Sequence, residues 1–215
     1  MNVKINLNLF LFLIIFILTN QIELYALIMV FALIHEIAHL ICGVILGFKP
    51  NVFRIMPFGF CIEFEEQVEE YNIRIGKSNL LAVKKMLIAL AGPLLNLCIV
   101  IIGLLINFNS NIIYSNLLLA VFNLMPIYPL DGGRILKNIL KILFGNRKAN
   151  QYINIISNAF IISITAISSI LIVTYKNIAI LLVIGVLWVM VIKENKRYNI
   201  YNKIFKTIDK TYNYL

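Results

Sequence analysis

The side chains in this chain that could do chemistry are few, and three of them stand within five positions. Ile34-His35-Glu36-Ile37-Ala38-His39-Leu40 carries the HExxH pattern inside a long apolar run. On a helix, four residues make one turn plus about 40°, so His35 and His39 project from one face and can hold one Zn2+. Glu36 can then reach a water activated by that ion. No other histidine occurs among the 215 residues. A catalytic zinc takes three protein ligands and leaves a fourth position open, so the third must be a carboxylate or a thiolate. Asp131 is the natural candidate, set in Asn123-Leu124-Met125-Pro126-Ile127-Tyr128-Pro129-Leu130-Asp131-Gly132-Gly133. The competing reading of Asp131 is an N-cap for the helix after it, which would not need two prolines and two glycines around it. Cys42, one turn beyond His39, is a rival ligand; its bland reading is a small buried apolar residue. Zinc with an open position and a carboxylate base is the chemistry of amide hydrolysis. The readings from another class are polar groups bracing helices in an inactive scaffold, or carrying zinc in a transporter. Glu36 separates them, because a scaffold has no need of a base directly after the first histidine.

These residues must be positioned by elements that live in a membrane. Hydrophobic side chains make up 61% of the chain and charged ones 13%, too apolar for a soluble domain of this size. Apolar runs at about Val3–Thr19, Leu24–Phe48, Met86–Asn107, Ile112–Met125, Tyr152–Tyr175 and Ile178–Ile192 read as six spans. The fourth is short and is broken by Pro126 and Pro129, a break that at membrane depth lines a cavity. With six spans, eighteen of the nineteen lysines and arginines fall on one side and only Lys176 on the other. The positive-inside rule therefore puts both termini and the two long connections in the cytoplasm. His39 lies ten residues before Lys49 and Asp131 three before Arg134, so the same charges bring both to similar depth. The expected architecture is an all-α polytopic membrane protein of about six transmembrane helices: an intramembrane domain over 1–192 and a short basic cytoplasmic tail over 193–215. The basic residues are dispersed rather than gathered in a stripe, which argues against a nucleic-acid partner. Cys42, Cys61 and Cys98 contain no CxxC pair and suggest neither a disulfide framework nor a thiolate zinc site.

Between the second and third spans, Val52–Glu65 alternates apolar and polar residues around Pro57 and Gly59, which predicts short strands. An edge strand there can pair with an extended substrate, which a helix cannot present. Glu63, Glu65, Glu66, Glu69 and Glu70 form an acidic patch, either a solvated face or a contact for a basic partner. Arg134, Lys137 and Lys141 lie opposite Ile135, Leu136, Ile139, Leu140 and Leu143, the pattern of an amphipathic helix on the anionic leaflet. Asn96, in Ala91-Gly92-Pro93-Leu94-Leu95-Asn96, and Asn123 are candidates for binding a substrate carbonyl or the oxyanion, with helix–helix bonding as the alternative. The tail, with Tyr198, Tyr201, Tyr212 and Tyr214 among lysines, reads as a disordered end, a membrane-lying segment or a substrate contact.

HEIAH in one span, AGPLLN in the next and Asn123…Pro126…Pro129-Leu130-Asp131-Gly132 after them resemble the site-2 protease family of intramembrane zinc metalloproteases. Within it, Arg54-Ile55-Met56-Pro57-Phe58-Gly59 followed by an acidic strand resembles the stage IV sporulation protein FB subgroup. The resemblance covers about Leu9 to Lys206. It implies His35, His39 and Asp131 as zinc ligands and Glu36 as the catalytic acid/base. It also implies a membrane-associated pro-sigma factor as substrate and membrane-embedded inhibitory partners in the mother cell membrane around the forespore of a sporulating bacterium. Many members of that subgroup carry a C-terminal CBS domain, whereas about twenty residues follow the last expected span here. An anti-sigma factor or signal-peptide remnants are the alternative substrates within the family.

Overall fold

The computed structural model describes residues 2–5, 17, 22–56, 59–65, 75–175 and 178–212. In chain order the described elements are β1 (Asn2–Ile5), α1 (Ile22–Ile45), β2 (Pro50–Met56), β3 (Gly59–Phe64), α2 (Ile75–Leu105), α3 (Ser110–Asn123), α4 (Asp131–Tyr175) and α5 (Ile178–Tyr212). The chain divides into two compact units, Met1–Leu124 and Met125–Leu215.

In the first unit, α1 and α2 are long and apolar enough to cross a bilayer over Tyr25–Ile45 and Ser78–Leu105. Their burial runs opposite to that of a soluble protein. Val30, Ile41 and Val44 face outward, as do Leu94 and Ile101, whereas His35, Glu36, His39 and Asn96 are buried. A helix that turns its apolar side outward and its polar side inward is solvated by lipid. This is a membrane protein. The third helix, α3, has 14 residues; at about 1.5 Å per residue it reaches about 21 Å, short of the roughly 30 Å hydrocarbon core.

Both long helices of this unit end in the same way. At the end of α1, Phe48 N–H bonds to Gly43 O at 2.9 Å and Gly47 N–H to Val44 O at 3.0 Å, with Gly47 at φ +88°. This is a Schellman stop, and only a glycine takes that φ without strain. The end of α2 uses Asn107, at φ 57°, with Phe108 N–H bonded to Gly103 O at 2.8 Å. Lys84 donates to Leu46 O at 3.1 Å, placing a cation at the negative end of α1. The next helix, α3, starts on Asn109, whose side chain accepts from Asn111 N–H at 3.0 Å.

The strands predicted in Val52–Glu65 form as an antiparallel pair, with Phe53 opposite Ile62 and Arg54 opposite Cys61. One strand was not anticipated. Asn2–Ile5 pairs parallel with β2, giving a three-stranded sheet of order β1-β2-β3. The first expected span, placed from Val3, is corrected at its start: Val3–Ile5 is strand, because a short apolar run has no periodicity that separates a strand from a helix end. The rest of that span lies outside the described residues, apart from Ile17. Glu63 of the acidic patch pairs with Arg54 at 3.0 Å across the hairpin, both about half exposed, a surface pair worth at most about 1 kcal/mol. Pro57, Glu66, Glu69, Glu70 and Lys176 lie outside the described residues.

In the second unit, α4 contains the helix predicted after Asp131 and breaks at Gly145 (φ 78°, ψ 166°). The window Asp131–Ile170 is apolar enough to cross a bilayer. Its continuation packs on α5 through an asparagine cluster. Asn154 donates to Asn195 Oδ1 at 2.7 Å and Asn195 to Asn158 Oδ1 at 2.9 Å. Trp188 Nε1 donates to Thr165 Oγ1 at 3.0 Å. Amides and hydroxyls that pair across helices are a usual glue where no hydrophobic force acts between them. The last helix runs without a break from the final expected span through the basic tail to Tyr212. The guanidinium of Arg147 lies over the Phe205 ring.

Candidate metal centre

The centre begins with two turns of α1. His35 and His39 are each 4% exposed, and their Nε2 atoms stand 3.1 Å apart. That separation is close to the edge, about 3.4 Å, of a tetrahedron built on metal–nitrogen bonds of about 2.1 Å. The orientation of His39 is set from the neighbouring helix, where Ile88 O accepts from Nδ1 at 2.7 Å. A carbonyl can only accept, so Nδ1 carries the proton and Nε2 presents its lone pair toward His35, the tautomer a metal ligand needs.

The second wall is backbone. Gly92 follows Ile88 by one turn of α2, and a Cβ built on it would stand 2.5 Å from Nε2 of both His35 and His39. Only a residue without a side chain leaves room for the two rings and an ion between them. The residues present therefore fit zinc: two imidazole nitrogens at ligand spacing, one tautomer fixed from outside, and a glycine floor. Glu36 is 8% exposed, and its Oε1 accepts from Ile62 N–H on β3 at 2.5 Å.

Asn96 lies one turn beyond Gly92 on the same face of α2. It is fully buried, and neither its Nδ2 nor its Oδ1 has a hydrogen-bond partner among the described residues. The other predicted amide differs: Asn123 spends its Nδ2 on Leu119 O of its own helix, at 3.0 Å. Cys42, the rival ligand, packs against the apolar cluster of Phe48, Leu81 and Ile88, in keeping with the small apolar reading.

In the second unit, Asp131 opens α4 at the end of a tight turn. Ile127 N–H bonds to Met125 O and Leu130 N–H to Ile127 O, both at 2.8 Å. The Tyr128–Pro129 peptide is cis. Tyr128 N–H donates to Ser157 Oγ at 3.0 Å, and Lys137 lies over the Tyr128 ring at 4.4 Å. Gly133 backs onto this turn: a Cβ there would stand 2.5 Å from Ile127 C and Tyr128 N. Asp131 is buried, with Arg134 3.8 Å from its carboxylate. It sits in the first turn of the helix, where the dipole favours a negative charge.

Sequence reasoning missed three groups: Ile88 O, the bare Cα face of Gly92 and Ile62 N–H. Gly92 alone left a signal, as the glycine of AGPLLN. The helix that carries it runs through Pro93 to Leu105.

Residues 103–167 match the model of peptidase family M50. The chain superposes on the site-2 protease from Methanocaldococcus jannaschii with a TM-score of 0.65 and 23% identity, over 89% of each chain. The fold is that of a site-2 protease. A zinc metalloprotease from the same organism is 31% identical over 139 residues, which is 60% of this chain. The chain spans 37% of the length of that relative.

Proposed function

We propose that this protein is an intramembrane zinc endopeptidase of the site-2 protease type. His35, His39 and Asp131 would hold the metal, and Glu36 serves as general acid and base. The observation that carries the reading is the histidine pair: two Nε2 atoms 3.1 Å apart, floored by a glycine whose Cβ both would forbid. Two imidazoles and a carboxylate are one donor set of catalytic zinc. When bound, zinc supplies Lewis acidity that makes water nucleophilic near neutral pH and polarises a carbonyl.

The side chains do the rest. Glu36 takes a proton from the attacking water as its oxygen bonds to the scissile carbonyl carbon, and returns that proton to the nitrogen as the C–N bond breaks. The buried carboxamide of Asn96 is the candidate partner for the carbonyl oxygen. Main-chain groups of the β2–β3 hairpin other than Ile62 N–H, which Glu36 holds, are the candidate partners for an extended substrate segment. Six spans with both termini in the cytoplasm complete the topology we propose, supported by the one-sided distribution of lysine and arginine. On the resemblance of Arg54–Gly59 and its acidic strand, the substrate is a membrane-associated pro-sigma factor. Cleavage would then take place during sporulation, in the mother cell membrane around the forespore, under membrane-embedded inhibitory partners.

The test compares purified wild type with Glu36→Gln in one detergent preparation, measuring zinc content and cleavage of a membrane-tethered pro-sigma factor. Zinc in both with cleavage by wild type alone is the expected result. Wild-type cleavage by Glu36→Gln would remove the catalytic assignment, and a folded wild type that binds no zinc would remove the metalloprotease.

A further inference from the structure

The order β1-β2-β3 leaves β3 as an outer strand, so among the described residues the N–H groups on its outer side have no ladder partner. One of them, that of Ile62, is given to Glu36 Oε1, and both residues are buried. The contact is part of a longer alignment of β3 on α1. A Cβ at Gly59 would stand 3.6 Å from that of Ala32. Ile62 meets Glu36. A Cβ at Gly43 would overlap the Phe64 ring, so that glycine is what lets the ring seat on the helix. Ala32, Glu36 and Gly43 are spaced by four and seven residues and so share one face of α1, and β3 is laid along it.

A glutamate on a helix turns about three side-chain torsions, whereas a base has to be held within about 0.5 Å of its working position. A main-chain N–H has no rotamers of its own, and hydrogen bonds to ionised acceptors are the stronger ones. We propose that the main-chain N–H of Ile62 is a positioning group for Glu36: strand β3, as well as α1, sets where the base stands. The catalytic meaning of this contact rests on the protease reading above; the contact itself does not. Any side chain that keeps the strand serves at position 62, provided its residue has an N–H.

Two measurements on the full-length chain in detergent test this. The first is hydrogen exchange over 59–64 in wild type and in Glu36→Ala. One amide of β3 should exchange at least about tenfold faster in the variant, as a lost hydrogen bond requires; identical exchange overturns the contact. The second replaces the Ile62 amide by an ester through its α-hydroxy acid, which deletes the N–H while leaving the pairing with β2. We expect kcat to fall about tenfold to hundredfold with KM and zinc content unchanged, and the conservative Ile62→Val, which keeps the N–H, to cleave at the wild-type rate. An unchanged kcat in the ester overturns the proposal, as does an equal loss of zinc. A faster ester would show that the contact holds the base idle, and overturns it too. An inert wild type fails the protease reading and the catalytic role with it, while the exchange experiment alone decides whether β3 holds Glu36.

Discussion

Gly92→Ala is the smallest change that tests the centre, because it adds one methyl and no charge. That methyl would stand 2.5 Å from Nε2 of His35 and of His39, whereas ordinary contact between heavy atoms begins at about 3.5 Å. Each ring, or α2 itself, must therefore retreat by about 1 Å. Ring retreat moves two ligand nitrogens by several times the roughly 0.2 Å tolerated in a metal–ligand distance. Helix retreat instead stretches the 2.7 Å bond from His39 Nδ1 to Ile88 O, the contact that fixes the ligand tautomer, and loss of such an outer contact costs about tenfold to hundredfold in metal affinity. Overpacking adds about 1–3 kcal/mol of destabilisation. The assay is zinc affinity by chelator competition, with thermal unfolding and substrate cleavage on the same preparation. Gly185→Ala is the control, since a Cβ there meets no atom of the described residues within 4 Å, and it should leave all three readouts alone. Wild-type zinc affinity and cleavage in Gly92→Ala would refute the glycine floor and the tautomer argument together.

Asp131→Asn is expected to weaken zinc retention at least tenfold, because an amide oxygen carries no charge to the ion; unchanged metal content in the purified variant would return Asp131 to a helix-terminal role. Gly133→Ala places a methyl 2.5 Å from the backbone of Ile127 and Tyr128, atoms that cannot rotate away. It should cost about 1–3 kcal/mol in thermal unfolding and lower zinc content with it, and a variant that melts and binds zinc as wild type does would contradict the turn described here. Asn96→Ala removes a buried amide with no partner among the described residues, so it should lower kcat about hundredfold to thousandfold while sparing zinc content. Asn123→Ala, whose amide is already spent on Leu119 O, should change kcat less. Equal effects in the two variants would sink the assignment of Asn96 to the reacting carbonyl.

Much of this protein is written in side-chain types at fixed intervals. An apolar composition with few charges determines a membrane solvent, and a four-residue spacing on a helix determines that His35 and His39 share a face, since 3.6 residues per turn leaves no other outcome. Alternation from Val52 to Glu65 determines the β2–β3 hairpin for the same kind of reason. What the tertiary structure decided was carried by main-chain atoms, which have no side-chain identity to read. The carbonyl that sets the His39 tautomer comes from Ile88, 49 residues away, and the donor on Glu36 from Ile62, 26 residues away. The floor of the centre is Gly92, recognisable only once two rings lie over it. The strand at Asn2–Ile5 belongs to the same class, because its partner β2 begins at Pro50 and nothing local to a short apolar run announces a distant ladder. Local periodicity places side chains on faces; which backbone atoms then meet those faces depends on long-range packing, and here that packing turns an HExxH helix into a candidate metal centre.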